Sequence, residues 1–68
     1  MKIFADRLNK LMNDEKCSGY KLAKAIGVDN QTVLNWQQEK NEPKISHLKK
    51  IAEYFDVSSD YLIGLSDY

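Results

Sequence analysis

Apolar residues recur along this chain at helical spacing, and nowhere do they alternate with the two-residue period of a strand. Phe4, Leu8, Leu11 and Met12 form one stripe, predicting a first helix from about Ile3 to Glu15 with Asp6, Arg7, Lys10 and Asp14 on its other face. Ser18 suits the N-cap of a short second helix, about Gly19 to Ile26, with Leu22, Ala23 and Ile26 inward and Gly27 closing it. Asp29 caps a third helix, about Asn30 to Gln38, anchored by Val33 and Trp36 and otherwise rich in amide side chains. A polar loop, Glu39 to Glu42, leads to Pro43. A fourth helix, about Ile45 to Phe55, carries Ile45, Leu48, Ile51, Ala52 and Phe55 along one side and Lys49, Lys50 and Glu53 along the other. Ser58 caps a fifth, about Ser59 to Leu65, which adds Leu62 and Ile63 to the core. The predicted fold is therefore all-α, a compact five-helix bundle.

Length and composition narrow the chemistry. Sixty-eight residues leave room for one domain, spanning 1–68, and for no small-molecule pocket or sensing domain beside it. Cys17 is the one cysteine, which excludes an internal disulfide or a Cys-rich zinc site and points to the cytoplasm. His47 is the one histidine, so no metal site and no cofactor is expected. A nucleophile pair of Cys17 and His47 would need hydrogen-bond reach and a substrate pocket, and no enzymatic activity is expected. His47 is placed on the solvated start of the fourth helix, and Cys17 at the corner between the first two. Apolar runs such as Tyr61 to Leu65 fall far short of the roughly 20 residues of a membrane span. The opening residues, interrupted by Lys2 and Asp6, do not resemble a signal peptide.

A formal net charge of zero argues against a nucleic-acid partner, whose usual footprint is basic. Position along the chain changes that picture. Met1 to Lys50 carry all ten basic side chains and six acids, a net +4, whereas Ile51 to Tyr68 carry four acids and no Lys or Arg, a net −4. The first part can face phosphate while the acidic end points away or meets a partner.

The stretch from about 18 to 38 carries the most information. Two helices joined by a short turn need a small residue where they touch, a positive-φ residue at the turn and apolar residues at the inward positions. Ala23, then Gly27, then Leu22, Ile26, Val28, Val33 and Trp36 meet each requirement. This is the sequence form of a helix-turn-helix, whose second helix can enter the major groove of DNA.

On those residues, together with Leu8, Leu11, Ser18, Thr32, Pro43, Leu48, Ile51-Ala52, Val57-Ser58 and Tyr61 to Gly64, the chain resembles the Cro/repressor-type (Xre-type) helix-turn-helix domains of phage repressors and bacterial regulators. The resemblance covers about Phe4 to Gly64. It implies the phage-repressor type of five-helix bundle, a third helix that reads base edges, and dimer contacts around the fourth and fifth helices, where Tyr54, Tyr61 and Tyr68 are candidates for an exposed aromatic cluster. Two positions depart from the pattern. The family's second helix commonly begins Ser-Gln, with the Gln touching phosphate and buttressing the first reading residue, and Gly19 stands there instead. The family also often pairs an Arg late in the first helix with a Glu after the Trp position. Here those positions are Met12 and Gln37, so no lone charge is left buried.

Chemistry independently marks the reading residues. Asn and Gln can pair bidentately with adenine, and Asn30 and Gln31 open the third helix while Asn35 lies one turn after Gln31. Leu34 is placed to touch a thymine methyl. Helix surfaces shaped only by solubility favour Glu, Lys and Ala over Asn and Thr. Phosphate contacts are expected from Ser18, Tyr20, Lys21 and Thr32, and from Lys40, Asn41 and Lys44 beyond the third helix. These features predict a DNA-binding transcriptional regulator, a repressor acting by operator occlusion as a homodimer on a two-fold symmetric double-stranded operator. The alternative is a helical protein-interaction module, of antirepressor or antitoxin type, that keeps the bundle without binding DNA. Zero net charge favours the alternative, and the Asn30, Gln31, Asn35 set opposes it.

Overall fold

A computed structural model describes residues 1–68, which form five helices and no strand. They are α1 (Lys2–Asp14), α2 (Gly19–Ile26), α3 (Asn30–Gln37), α4 (Ile45–Phe55) and α5 (Ser59–Ile63). Three N-termini carry the predicted caps: Ser18, Asp29 and Ser58 adopt extended backbone, and their side chains accept from the backbone N–H of Lys21, Thr32 and Tyr61. Gly27, at φ 81°, closes α2. Gly64, at φ 88°, stops α5 at Ile63, two residues before the expected end. The chain turns there, and the Leu65 N–H bonds back to the Asp60 carbonyl at 2.8 Å.

All five helices feed one core. Leu8 of α1, Leu22 of α2, Val33 of α3, Ile51 of α4 and Leu62 of α5 have no solvent exposure, and Phe4, Met12, Cys17, Ala23, Ile26 and Trp36 pack with them. Phe4 meets Trp36 edge-on, ring centroids 6.3 Å apart. The small side chain of Ala23 is buried where α2 packs on α3. α1 packs against α3 and α5, and α4 against α2 and α5. Since each short helix is hydrophobic on one side only, no pair would be stable without the rest. No helix is long and apolar enough to cross a membrane.

Several side chains lie elsewhere than the helical pattern implies. Ile45, placed by its spacing on the inner side of α4, is 86% exposed. It is the first residue of the helix and borders an open recess with Leu48, Ala52 and Val57 that nothing fills. Ile63 is half-buried rather than a core residue. His47 is half-buried too, its ring 5.8 Å from that of Trp36. Arg7, expected on a solvated face, donates from Nη1 to the carbonyls of Tyr61 (2.9 Å) and Ser66 (3.0 Å) and lies 4.3 Å from the Tyr61 ring centre. Tyr61 is therefore covered by Arg7 and does not join Tyr54 and Tyr68 in an exposed aromatic cluster. Tyr54 packs edge-on against Phe55, and its hydroxyl lies 3.8 Å from the buried Cys17 sulfur, within reach to donate to it. The bond that the Tyr54 hydroxyl gives to Cys17 would be lost on ionisation, and this, followed by partial burial and the neighbouring Cys17 and Glu15, raises the Tyr54 pKa.

Candidate nucleic-acid interface

The turn between α2 and α3 is held from both sides. The N–H groups of Gly27 and Val28 bond to the Ala23 carbonyl at 2.9 and 3.0 Å. One carboxylate oxygen of Asp29 accepts the backbone N–H of Thr32 at 2.8 Å and its hydroxyl at 2.6 Å. The hydroxyl bond, with the backbone bond second, holds the Asp29 carboxyl below its ordinary pKa. Thr32 is thus half-buried with its hydroxyl hydrogen given to the cap, leaving only oxygen lone pairs for another partner.

Burial of Val33 and Trp36 sets the rotation of α3, and Asn30, Gln31 and Leu34 emerge exposed on its outer side. Asn35 is half-buried and accepts, on Oδ1, a 2.9 Å bond from Gln31 Nε2. Asn30 leans toward the start of α2. A Cβ on Gly19 would sit 3.0 Å from Asn30 Oδ1 and 3.8 Å from Gln37 Oε1, so the missing side chain at position 19 leaves the space these amides occupy.

Gln37 is tied across to α1. Its Nε2 donates to Asn9 Oδ1 at 2.9 Å, and Asn9 Nδ2 donates to the Gln37 carbonyl at 3.2 Å. Met12 lies in the core. The link between the first and third helices is therefore a neutral amide pair from Asn9, one turn before Met12. A shallow recess beside it is lined by Asn9, Asn13, Lys16, Ser18, Gly19 and Gln37. A second recess is lined by Tyr20, Lys24, Asp29 and Asn30, together with Ala23 and Val28.

The expected residues thus fall into two groups. Ser18, Tyr20 and Lys21 open α2 beside Asn30, and Gln31, Leu34 and Asn35 continue the outer side of α3. Ser18 caps the helix, Tyr20 is 65% exposed, and Lys21 is exposed with its backbone N–H taken by the cap. Lys40, Asn41 and Lys44 lie exposed in the connection beyond α3, with the Lys40 N–H bonded to the Asn35 carbonyl at 2.9 Å. Asn9, Asn13 and Lys16 were not foreseen as neighbours of this surface. Asn9 and Asn13 lie on one side of the first helix with Met12, and Lys16 follows the helix at φ 53°, but only packing of α1 against α3 brings them to Gln37.

Residues 7–67 match the Cro/C1-type HTH DNA-binding domain. The chain belongs to this family. A curated relative, the uncharacterized HTH-type transcriptional regulator YobD of Bacillus subtilis (strain 168), is 31% identical over 65 residues, covering 96% of this chain. The chain spans 58% of that relative's length. No solved structure gives a significant match. In this Cro/C1-type domain the outer side of α3 carries amides with donors and acceptors, and lysines stand near both ends of the helix-turn-helix. That combination can hydrogen-bond base edges and phosphate oxygens together.

Proposed function

We propose that this Cro/C1-type domain is a sequence-specific double-stranded DNA-binding unit over residues 1–68, part of a cytoplasmic transcriptional repressor that occludes its operator. The carrying observation is the amide-bearing outer side of α3, where Asn30, Gln31 and Asn35 lie beside exposed Leu34. In this reading α3 lies in the major groove, and these four residues meet base edges. Ser18, Tyr20 and Lys21 hold phosphates near the start of the helix-turn-helix, and Lys40, Asn41 and Lys44 hold them past its end, while Thr32, with its N–H and hydroxyl both given to Asp29, has no donor left for a phosphate. Two copies bind the two halves of a symmetric operator, which compensates for the weak non-specific attraction of a neutral domain.

Titration of binding to a random duplex against salt tests this reading. Affinity is expected to fall linearly in log–log form, with a slope of roughly −0.9 for each phosphate neutralised. Absence of binding at low salt would instead favour a protein-interaction module, the reading that zero net charge supports. Selection from a random pool should then return A·T-containing half-sites. Lys40→Ala should weaken all sequences alike, whereas Gln31→Ala should cost about 1–3 kcal/mol at one base pair.

A further inference from the structure

We propose that a second copy of this chain docks on the recess between α2 and α4, inserting there the acidic segment that follows its own α5. The contact goes beyond the DNA-binding reading and does not depend on it, because both surfaces are present in the free domain.

The segment after α5 is exposed and yet tied down. The Leu65 N–H bonds to the Asp60 carbonyl at 2.8 Å, and Arg7 donates to the Ser66 carbonyl at 3.0 Å. The hydroxyls of Ser58 and Ser66 donate to the main-chain oxygen of Tyr68 at 3.0 and 2.8 Å. Its side chains stay in solvent: Leu65 is 75% and Tyr68 88% exposed, with exposed Asp67 between them. Two apolar side chains and an acid on a backbone held in this way form a surface that loses little further entropy on binding.

The recess between α2 and α4 is the complement. Ala25 and Tyr54 give it apolar surface, and Lys24 and Lys50 line it. Neither lysine forms an ion pair within the chain, and neither does Asp60 or Asp67. Glu53 offsets one of the two positive charges, which leaves the recess positive. Other recesses suit an acidic segment less. The one bordered by Ile45 carries Glu53 and Asp56 against Lys49, and the one beside Asn30 sets Lys24 against Asp29. The one beside Gly19 lies on the surface assigned to DNA. Arg7 holds the segment against α1, which packs on α3 and α5, so the recess formed by α2 and α4 is left to another copy.

A four-residue segment buries far less than the roughly 1,200 Å² of a stable complex, so the contact is weak in dilute solution. Copies side by side on one duplex meet at a raised effective concentration, and there the contact makes binding cooperative.

Backbone amide shifts, followed as the chain is diluted from millimolar to micromolar concentration at low salt, test the proposal without DNA. Resonances of Leu65 to Tyr68 and of Lys24, Ala25, Lys50 and Tyr54 should move together, and added salt should suppress the movement. Lys50→Glu and Asp67→Lys should each weaken self-association about tenfold. An equal mixture of these two variants should recover it, because each then offers the other an opposite charge. Leu65→Ser should weaken it with no change of charge, whereas Asp6→Lys, the same change of charge as Asp67→Lys but on α1, should have little effect. The proposal is overturned if the named resonances do not move on dilution, or if movement is confined to Ile45, Leu48 and Val57. It is equally overturned if Asp6→Lys acts as strongly as Asp67→Lys, or if the mixed variants fail to recover association.

Discussion

Asp29 shows how much a single carboxylate organises. One of its oxygens holds both the backbone and the hydroxyl of Thr32, and with them the first turn of α3, from which Asn30 and Gln31 project. Because its pKa in the fold lies below the ordinary value of 3.8, the stabilisation is present above that value and is lost as pH falls through the lowered one. Asp29→Asn keeps a capping oxygen that does not titrate. The melting temperature of the wild type should therefore fall further than that of the variant below about pH 4, whereas above about pH 5 the gap between them should be constant. A gap that keeps its size through acid would show that the carboxylate charge is irrelevant to the cap. The capping role of Asp29 was readable from sequence, since an Asp ahead of a helical run has few other uses. The lean of Asn30 over Gly19 was not, because it depends on how α2 and α3 meet.

At the scale of elements, helix ends were the least legible feature. Periodicity extends α5 to Leu65, yet the positive φ of Gly64 ends it at Ile63. α3 ends through the Lys40 N–H bonding to the Asn35 carbonyl and the Glu39 N–H to that of Trp36, which requires Glu39 to adopt φ 63°. A left-handed conformation is unfavourable for a residue with a Cβ, and glycine adopts it freely. Glu39→Gly is expected to stabilise the domain by about 1 kcal/mol, seen as a higher urea midpoint with unchanged slope. It also removes an acid from the turn leading to Lys40, so binding to random duplex should tighten together with the gain in stability. A lower midpoint would mean that Glu39 makes a favourable interaction beyond the turn itself.

Across the whole molecule, Arg7 joins the two ends of the chain. Its guanidinium bonds to the carbonyls of Tyr61 and Ser66 and stacks by Tyr61, so the segment after α5 is held against α1. Charge-assisted bonds in a partly buried setting are worth more than ordinary ones. Arg7→Ala should cost about 2 kcal/mol and speed amide exchange after α5 first, while leaving the caps of α2 and α3 protected. Uniform loss of protection over all five helices would show that Arg7 supports the core rather than this segment. The same contact removes Tyr61 from the expected aromatic surface, while Ile45, Tyr54, Leu65 and Tyr68 remain exposed.

The five helices, three of their caps, the helix-turn-helix and the outward amides of α3 are written locally in the residues. Each follows from spacing or from the chemistry of one or two adjacent residues, and the core residues Leu8, Leu22, Val33 and Trp36 were marked by the same periodicity. What distant segments do to one another emerges only when the helices pack. Packing brought Asn9 to Gln37, left Ile45 exposed, half-buried His47 against Trp36 and gave Arg7 its carbonyl partners. Helical periodicity reports which side of an element is apolar. Polar pairings between elements depend on how the helices pack and on what lies opposite, information that is distributed over the chain and becomes local only when the core closes.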